Sequence, residues 1–113
     1  MQNEVKKILG EKLASLLFDE NLEEMMVIGQ GSPVYIYDRR RGMSATDVVL
    51  SEEEIRGLIH KIAKFSGRDV DDSNPLLDAR LPDGSRVNAT LSTVTPRGST
   101  ITIRKFKREP LTI

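Results

Sequence analysis

The stretch that decides the fold is Leu76–Arg104, LLDARLPDGSRVNATLSTVTPRGSTITIR. Apolar and polar residues alternate along it with the period of a half-buried β-strand. Pro82-Asp83-Gly84 reads as a three-residue hairpin loop, with Gly84 in the left-handed position that such loops favour. That loop sets Leu77 opposite Ala89 and Ala79 opposite Val87 on an apolar face. On the other face it sets Asp78 opposite Asn88 and Arg80 opposite Arg86. The second strand then pairs with Thr100–Phe106 across a Pro96–Gly98 loop. A register that keeps Ile101 and Ile103 inward turns Arg104 outward, close to Arg86. Three arginines thus gather on one face, where like charges opposite each other repel. Either the face is solvated, with Asp78 and Asp83 neutralising part of the charge, or it holds an anion. The planar guanidinium, which grips phosphate oxygens in pairs, favours the anion.

The remainder of the chain predicts an α+β domain built on an antiparallel sheet with flanking helices. Residues Glu4–Phe18 carry Val5, Ile8, Leu9, Leu13, Leu16 and Leu17 at helical spacing, which predicts one amphipathic helix. Gly10 weakens it by roughly 1 kcal/mol against alanine. Short strands are expected at Glu24–Ile28, Val34–Tyr37 and Ala45–Val49, divided by a Gly29–Pro33 loop and an Arg39–Gly42 turn. Ser51 with Glu54 forms a capping box for a second helix that buries Ile55, Leu58, Ile59, Ile62 and Ala63 and ends near Ser66-Gly67. A polar connection, Gly67–Pro75, precedes the hairpins. The organisation is therefore a helix over 1–20, an α+β domain over 21–104, and the start of a linker over 105–113, KFKREPLTI.

Composition narrows the function classes. The chain has 113 residues, 38% hydrophobic and 30% charged, with a net charge of zero, so no long-range field draws in nucleic acid. Aromatic residues are 4%, too few for a base-stacking platform. The absence of cysteine excludes disulfides and thiolate metal sites and fits a cytoplasmic protein. No apolar run reaches the length of a membrane span, and Met1–Gly10 carries charges where a signal peptide is apolar.

Several residues invite a chemical role and have a plainer explanation. The single histidine, His60, falls on the polar flank of its helix, and one histidine does not make a metal site. Asp69, Asp71 and Asp72 do not follow a calcium-loop spacing and read as a solvated turn. Met25 and Met26 read as one core residue and one at the rim. Arg39-Arg40-Arg41 could meet an acidic lipid or partner, but reads first as a charged hairpin tip that keeps a sheet edge from pairing with other chains. No phosphate loop exists, since no lysine follows a glycine, and Gly29-Gln30-Gly31 lies between strands, where it is a turn.

Five segments recur in order: Glu24–Gly29, Val34–Tyr37, Asp78–Asn88, Thr102–Phe106 and Pro110–Thr112. Together the chain resembles the amino-terminal domain of the type II/type IV secretion ATPases, nearest the branch of tight-adherence pili and archaeal surface filaments. The resemblance runs from about Leu22 to Ile113, and D-A-R-L-P-D-G-S-R-V-N is its most specific part. It implies a PAS-like domain of a hexameric cytoplasmic motor, peripheral to the inner face of the membrane, that powers protein secretion or pilus assembly. It also implies ATP, with magnesium in the full-length parent, bound between this domain and a RecA-like ATPase domain. Arg86 and Arg104, with Arg80 as a further candidate, match the arginines that reach the ATP phosphates in the family. The implied partners are the RecA-like domain, neighbouring subunits of the hexamer and a membrane platform protein, with no nucleic acid. Within the 113 residues there is no phosphate loop to cradle ATP, so the chain alone is not expected to hydrolyse it or bind it tightly. The alternatives are a PAS-like small-ligand sensor, which needs a buried cavity of roughly 300 Å³ or more, and a partner-interaction module that makes no nucleotide contact.

Overall fold

The computed structural model describes residues 2–92 and 98–105. Residues 93–97, which include the first two of the expected Pro96–Gly98 loop, and 106–113, which include the end of the expected last strand and most of the expected linker, lie outside the described residues. The elements in chain order are α1 (Gln2–Leu9), α2 (Glu11–Leu17), β1 (Leu22–Val27), β2 (Pro33–Asp38), β3 (Gly42–Val49), α3 (Glu52–Phe65), β4 (Leu76–Arg80), β5 (Arg86–Thr90) and β6 (Thr100–Arg104). The six strands form one antiparallel sheet in the order β3-β2-β1-β6-β5-β4. Two local ladders, β1–β3 and β4–β6, are therefore sewn together by the pairing of β1 with β6.

Alternation along the strands gives the sheet two unlike faces. Met25, Val27, Leu77, Ala79, Val87, Ala89, Ile101 and Ile103 point inward and are buried. The helices cover that face: α3 packs on β4 and β6, and α2 on β1. The core is completed by Val5, Ile8 and Leu9 of α1, Leu13, Ala14 and Leu17 of α2, and Ile55, Ile59, Ile62 and Ala63 of α3. Each large aliphatic side chain moved fully out of water here contributes about 1.5–3 kcal/mol. Leu58, expected in the core, is half-buried and packs against its edge.

The capping box that opens α3 forms as expected, with the Glu54 amide donating to Ser51 Oγ at 3.1 Å and the Ser51 amide donating to Glu54 Oε1 at 3.0 Å. The first helix differs from expectation. It is two helices, because Gly10 adopts φ 86° and ψ 165°, a conformation open essentially to glycine alone. The break falls between two apolar stripes, and it lets both α1 and α2 lay theirs on the same core.

Candidate functional site

Among the described residues nothing covers the face opposite the helices, and its residues form rows across the strands. Register places Arg80 opposite Arg86, Arg86 opposite Arg104, Arg104 opposite Glu24, Glu24 opposite Tyr37 and Tyr37 opposite Met43. One row thus crosses all six strands, basic over β4–β6 and apolar over β2–β3. The next row runs Asp78, Asn88, Thr102, Met26, Tyr35 and Ala45. The expected convergence of Arg80, Arg86 and Arg104 is therefore present, and all three are exposed.

The hairpin that delivers two of them is fixed by its loop. The Gly84 amide donates to the Leu81 carbonyl, and the Leu81 amide donates to the Ser85 carbonyl, both at 2.9 Å. Gly84 takes φ 90°, as the left-handed loop position requires. Asp83, which the solvated-face alternative paired with the arginines, is engaged with its own turn. It accepts from the Ser85 amide at 3.1 Å and from Ser85 Oγ at 2.7 Å, and so braces the turn.

Two carboxylates do meet the row. Arg86 addresses Asp78 with two donors, Nε to Oδ1 at 3.4 Å and a terminal nitrogen to Oδ2 at 3.2 Å. That hydrogen bond holds the Asp78 carboxyl below its ordinary range and raises the Arg86 guanidinium above its own. Arg104 Nε lies 3.4 Å from Oε1 of Glu24. The first pair is solvated, with side-chain exposures of 56% and 58% for Arg86 and Asp78, so it exchanges partners cheaply; Glu24 of the second is half-buried.

Of the clefts beside the row, two are lined by its arginines. One of about 390 Å³ is lined by Ser66, Arg68, Asp78, Ala79, Arg80 and Arg86. The other, of about 430 Å³, is lined by Glu23, Glu24, Tyr37, Arg104 and Lys105. Arg68 adds its positive field to those of Arg86 and Arg80 around Asp78, a contribution no spacing in the sequence announces. Glu24 was also not assigned a role from sequence; its partner Arg104 is 80 residues away.

The remaining candidates lie away from the arginine row. His60 is exposed, Met25 is buried and Met26 half-buried. Asp71 accepts from the amides of Ser73 and Asn74 at 2.9 and 2.8 Å, as a turn residue does. Arg39, Arg40 and Arg41 sit at the tip of the β2–β3 hairpin, with Arg39 Nε 3.5 Å from Glu23 Oε1. Among the described residues no cluster of histidine and carboxylate suits a metal ion, and no helix is long and apolar enough to cross a membrane.

Fold and site together define an α+β domain with helices on one sheet face and, among the described residues, a row of exposed arginines on the other. Comparison with known proteins finds the same fold. Nearly the whole chain, 97% of it, superposes on 33% of the VirB11 ATPase from the Brucella suis type IV secretion system, solved in complex with sulphate, with a TM-score of 0.77 and 26% identity. This likeness supports an amino-terminal domain of a secretion ATPase and leaves the branch unspecified. The chain is also 47% identical over 97 residues to the uncharacterized protein MJ0781 of Methanocaldococcus jannaschii, covering 86% of this chain and 14% of the relative. It is 36% identical over 89 residues to MJ1288 of the same organism, covering 77% of this chain and 35% of the relative. The chain therefore spans only 14% and 35% of the lengths of these two relatives and a third of that solved structure. No family model matches it.

Proposed function

We propose that the chain is the amino-terminal domain of a hexameric secretion ATPase and supplies Arg86 and Arg104, with Arg80 beside them, to the phosphates of ATP held by a companion RecA-like domain. The observation that carries this reading is the row of guanidiniums across β4, β5 and β6 on an uncovered face. Phosphoryl transfer is catalysed almost wholly by positioning and charge stabilisation, and guanidiniums aimed at the γ-phosphate provide both. The same face continues into exposed Tyr37 and Met43, an apolar flank against which a companion domain can seat.

In this scheme the γ-phosphate, with magnesium held by the companion domain, ties the two domains together. Hydrolysis and loss of phosphate release the arginines, and the cleft opens about a hinge that begins at Lys105. The hexamer neighbours and a membrane platform protein at the cytoplasmic face would contact surfaces outside the arginine row. Pilus assembly and protein secretion are both uses of such a motor. A PAS-like sensor is disfavoured by the core: its buried polar residues Asp38, Ser85 and Ser99 are spent on turns and on a bond from Ser99 to Glu52.

The test is hydrolysis by the full-length parent. R86A and R104A are each expected to lower turnover roughly ten- to a hundredfold while leaving the folded hexamer intact. R86K, which keeps the charge and loses the planar fork, is expected to fall between R86A and the native protein. Native turnover and nucleotide affinity in both alanine variants would refute the proposal.

A further inference from the structure

We infer that Arg68 is a fourth phosphate-binding residue: with Arg80 and Arg86 it closes a cleft at the sheet edge that fits a terminal phosphate. The inference rests on the reading of the row as a phosphate site and adds to it a residue from outside the strands. Arg68 reaches the row through the way α3 ends. The Gly67 amide donates to the Lys64 carbonyl at 3.3 Å and the Arg68 amide to the Ala63 carbonyl at 2.9 Å, with Gly67 at φ 68°. These two bonds make a Schellman closure, which fixes the backbone of the residue that completes it. Arg68 therefore leaves the helix at a set point, and it lines the cleft of about 390 Å³ with Asp78, Arg80 and Arg86 beside the edge strand β4. It also borders a broader groove over Asn88, Thr90, Thr100 and Thr102, so it stands over the same sheet face as the arginines. Asp69, next in the chain, lines that groove and not the cleft.

Charge says what the cleft suits. Three guanidiniums, of Arg68, Arg80 and Arg86, stand against one carboxylate, Asp78, an excess of two positive charges. All three act on Asp78 with a positive field, so they converge on one place. The cleft around Arg104 is balanced, with Arg104 and Lys105 against Glu23 and Glu24. A terminal phosphate carries about −1.5 to −2 charges at neutral pH, which matches the excess at the β4 end of the row. Availability points the same way. Among the described residues, ion pairs engage Arg39, Arg56, Arg86 and Arg104, and none engages Arg68 or Arg80. An anion entering the cleft takes those two planar forks without breaking a pair. Arg86 keeps donors to spare while it holds Asp78, because a guanidinium has several N–H groups.

The experiment is a heteronuclear NMR titration of the chain with sodium pyrophosphate at constant ionic strength. The native chain is compared with R68A, R68K, R86A, the R86A/R104A double variant and R40A. R68A should weaken binding about two- to fivefold, as loss of one exposed charged contact does. R68K should fall between R68A and the native chain, since lysine keeps the charge and lacks the fork. R40A removes the same charge from the β2–β3 hairpin tip and should leave the affinity unchanged. R68A binding like the native chain, or losing no more than R40A, while R86A binds less, overturns the inference and leaves the phosphate site in place. Equal affinity in the native chain and in R86A/R104A, or no saturable binding by the native chain, overturns the phosphate site and the inference with it. A cation also suits the C-terminal end of α3, a role read in the melting temperature and not in phosphate affinity. If R68A fails to fold, R68K keeps that cation in place, and native affinity in R68K then overturns the inference.

Discussion

Asp38 closes β2 with its carboxylate turned onto the amides of Arg40 and Arg41, Oδ1 lying 2.7 and 3.2 Å from them. The Arg40 amide is the larger cause of a carboxyl held below its ordinary value of 3.8, with the Arg41 amide and the two guanidinium charges adding to it. A carboxyl whose pKa is lower folded than unfolded stabilises the fold above the unfolded value, and that stability is lost as pH falls through the folded one. D38N should therefore be less stable than the native chain at neutral pH and should lose less further stability below about pH 4. Urea melts repeated from pH 7 down to pH 2 would show it; parallel curves would mean that Asp38 contributes no linkage. The same scale marks what could be read from sequence. Arg80, Arg86 and Arg104 were legible because a three-residue loop and strict alternation determine which residues face each other. Glu24 was not, since nothing local says that β1 lies beside β6. Arg68 was not, since it follows a helix end in a loop with no periodicity. Which outlet Asp83 takes was not legible, because a turn aspartate has two, a neighbouring charge or its own backbone, and Ser85 offered the nearer one.

At the level of elements, the clearest divergence is the pair α1 and α2 where one helix was expected. Apolar residues continue at helical spacing through Gly10, and a single glycine in a helix costs only about 1 kcal/mol, so the pattern alone does not report a break. The backbone does: the Gly10 amide still donates to Lys6, the Ala14 amide donates to Gly10, and between them the chain turns through φ 86°. The two descriptions predict opposite signs for G10A. In a continuous helix alanine would stabilise by about 1 kcal/mol. In the observed conformation it should destabilise by about 1–3 kcal/mol, although a Cβ there meets no neighbour. Equilibrium denaturation measures the sign directly. The other elements were legible for good physical reasons. The capping box sets the start of α3 with its own side chains, and each hairpin carries glycine where a positive φ is needed, Gly42 at 77° and Gly84 at 90°.

At the scale of the whole molecule, the described helices lie on one side of the sheet and no described residue outside the strands covers the arginine row on the other. The basic row and its apolar flank therefore share one plane, and closing on a companion domain desolvates both together. The hydrolysis test of Arg86 and Arg104 belongs to this scale, because it is the full motor that reads their loss. The arginine row also crosses the strands instead of following one, so the side on which each guanidinium lies is governed by parity. One extra codon inside β5, between Arg86 and Asn88, would send every later side chain of that strand to the wrong side, placing Asn88 where the core holds aliphatic carbon. Such an insertion should abolish cooperative thermal unfolding as followed by circular dichroism, whereas an insertion of two codons at the same place preserves the alternation and should be better tolerated. Across descendants of this gene, length changes within β5 are thus permitted in even steps and purged in odd ones.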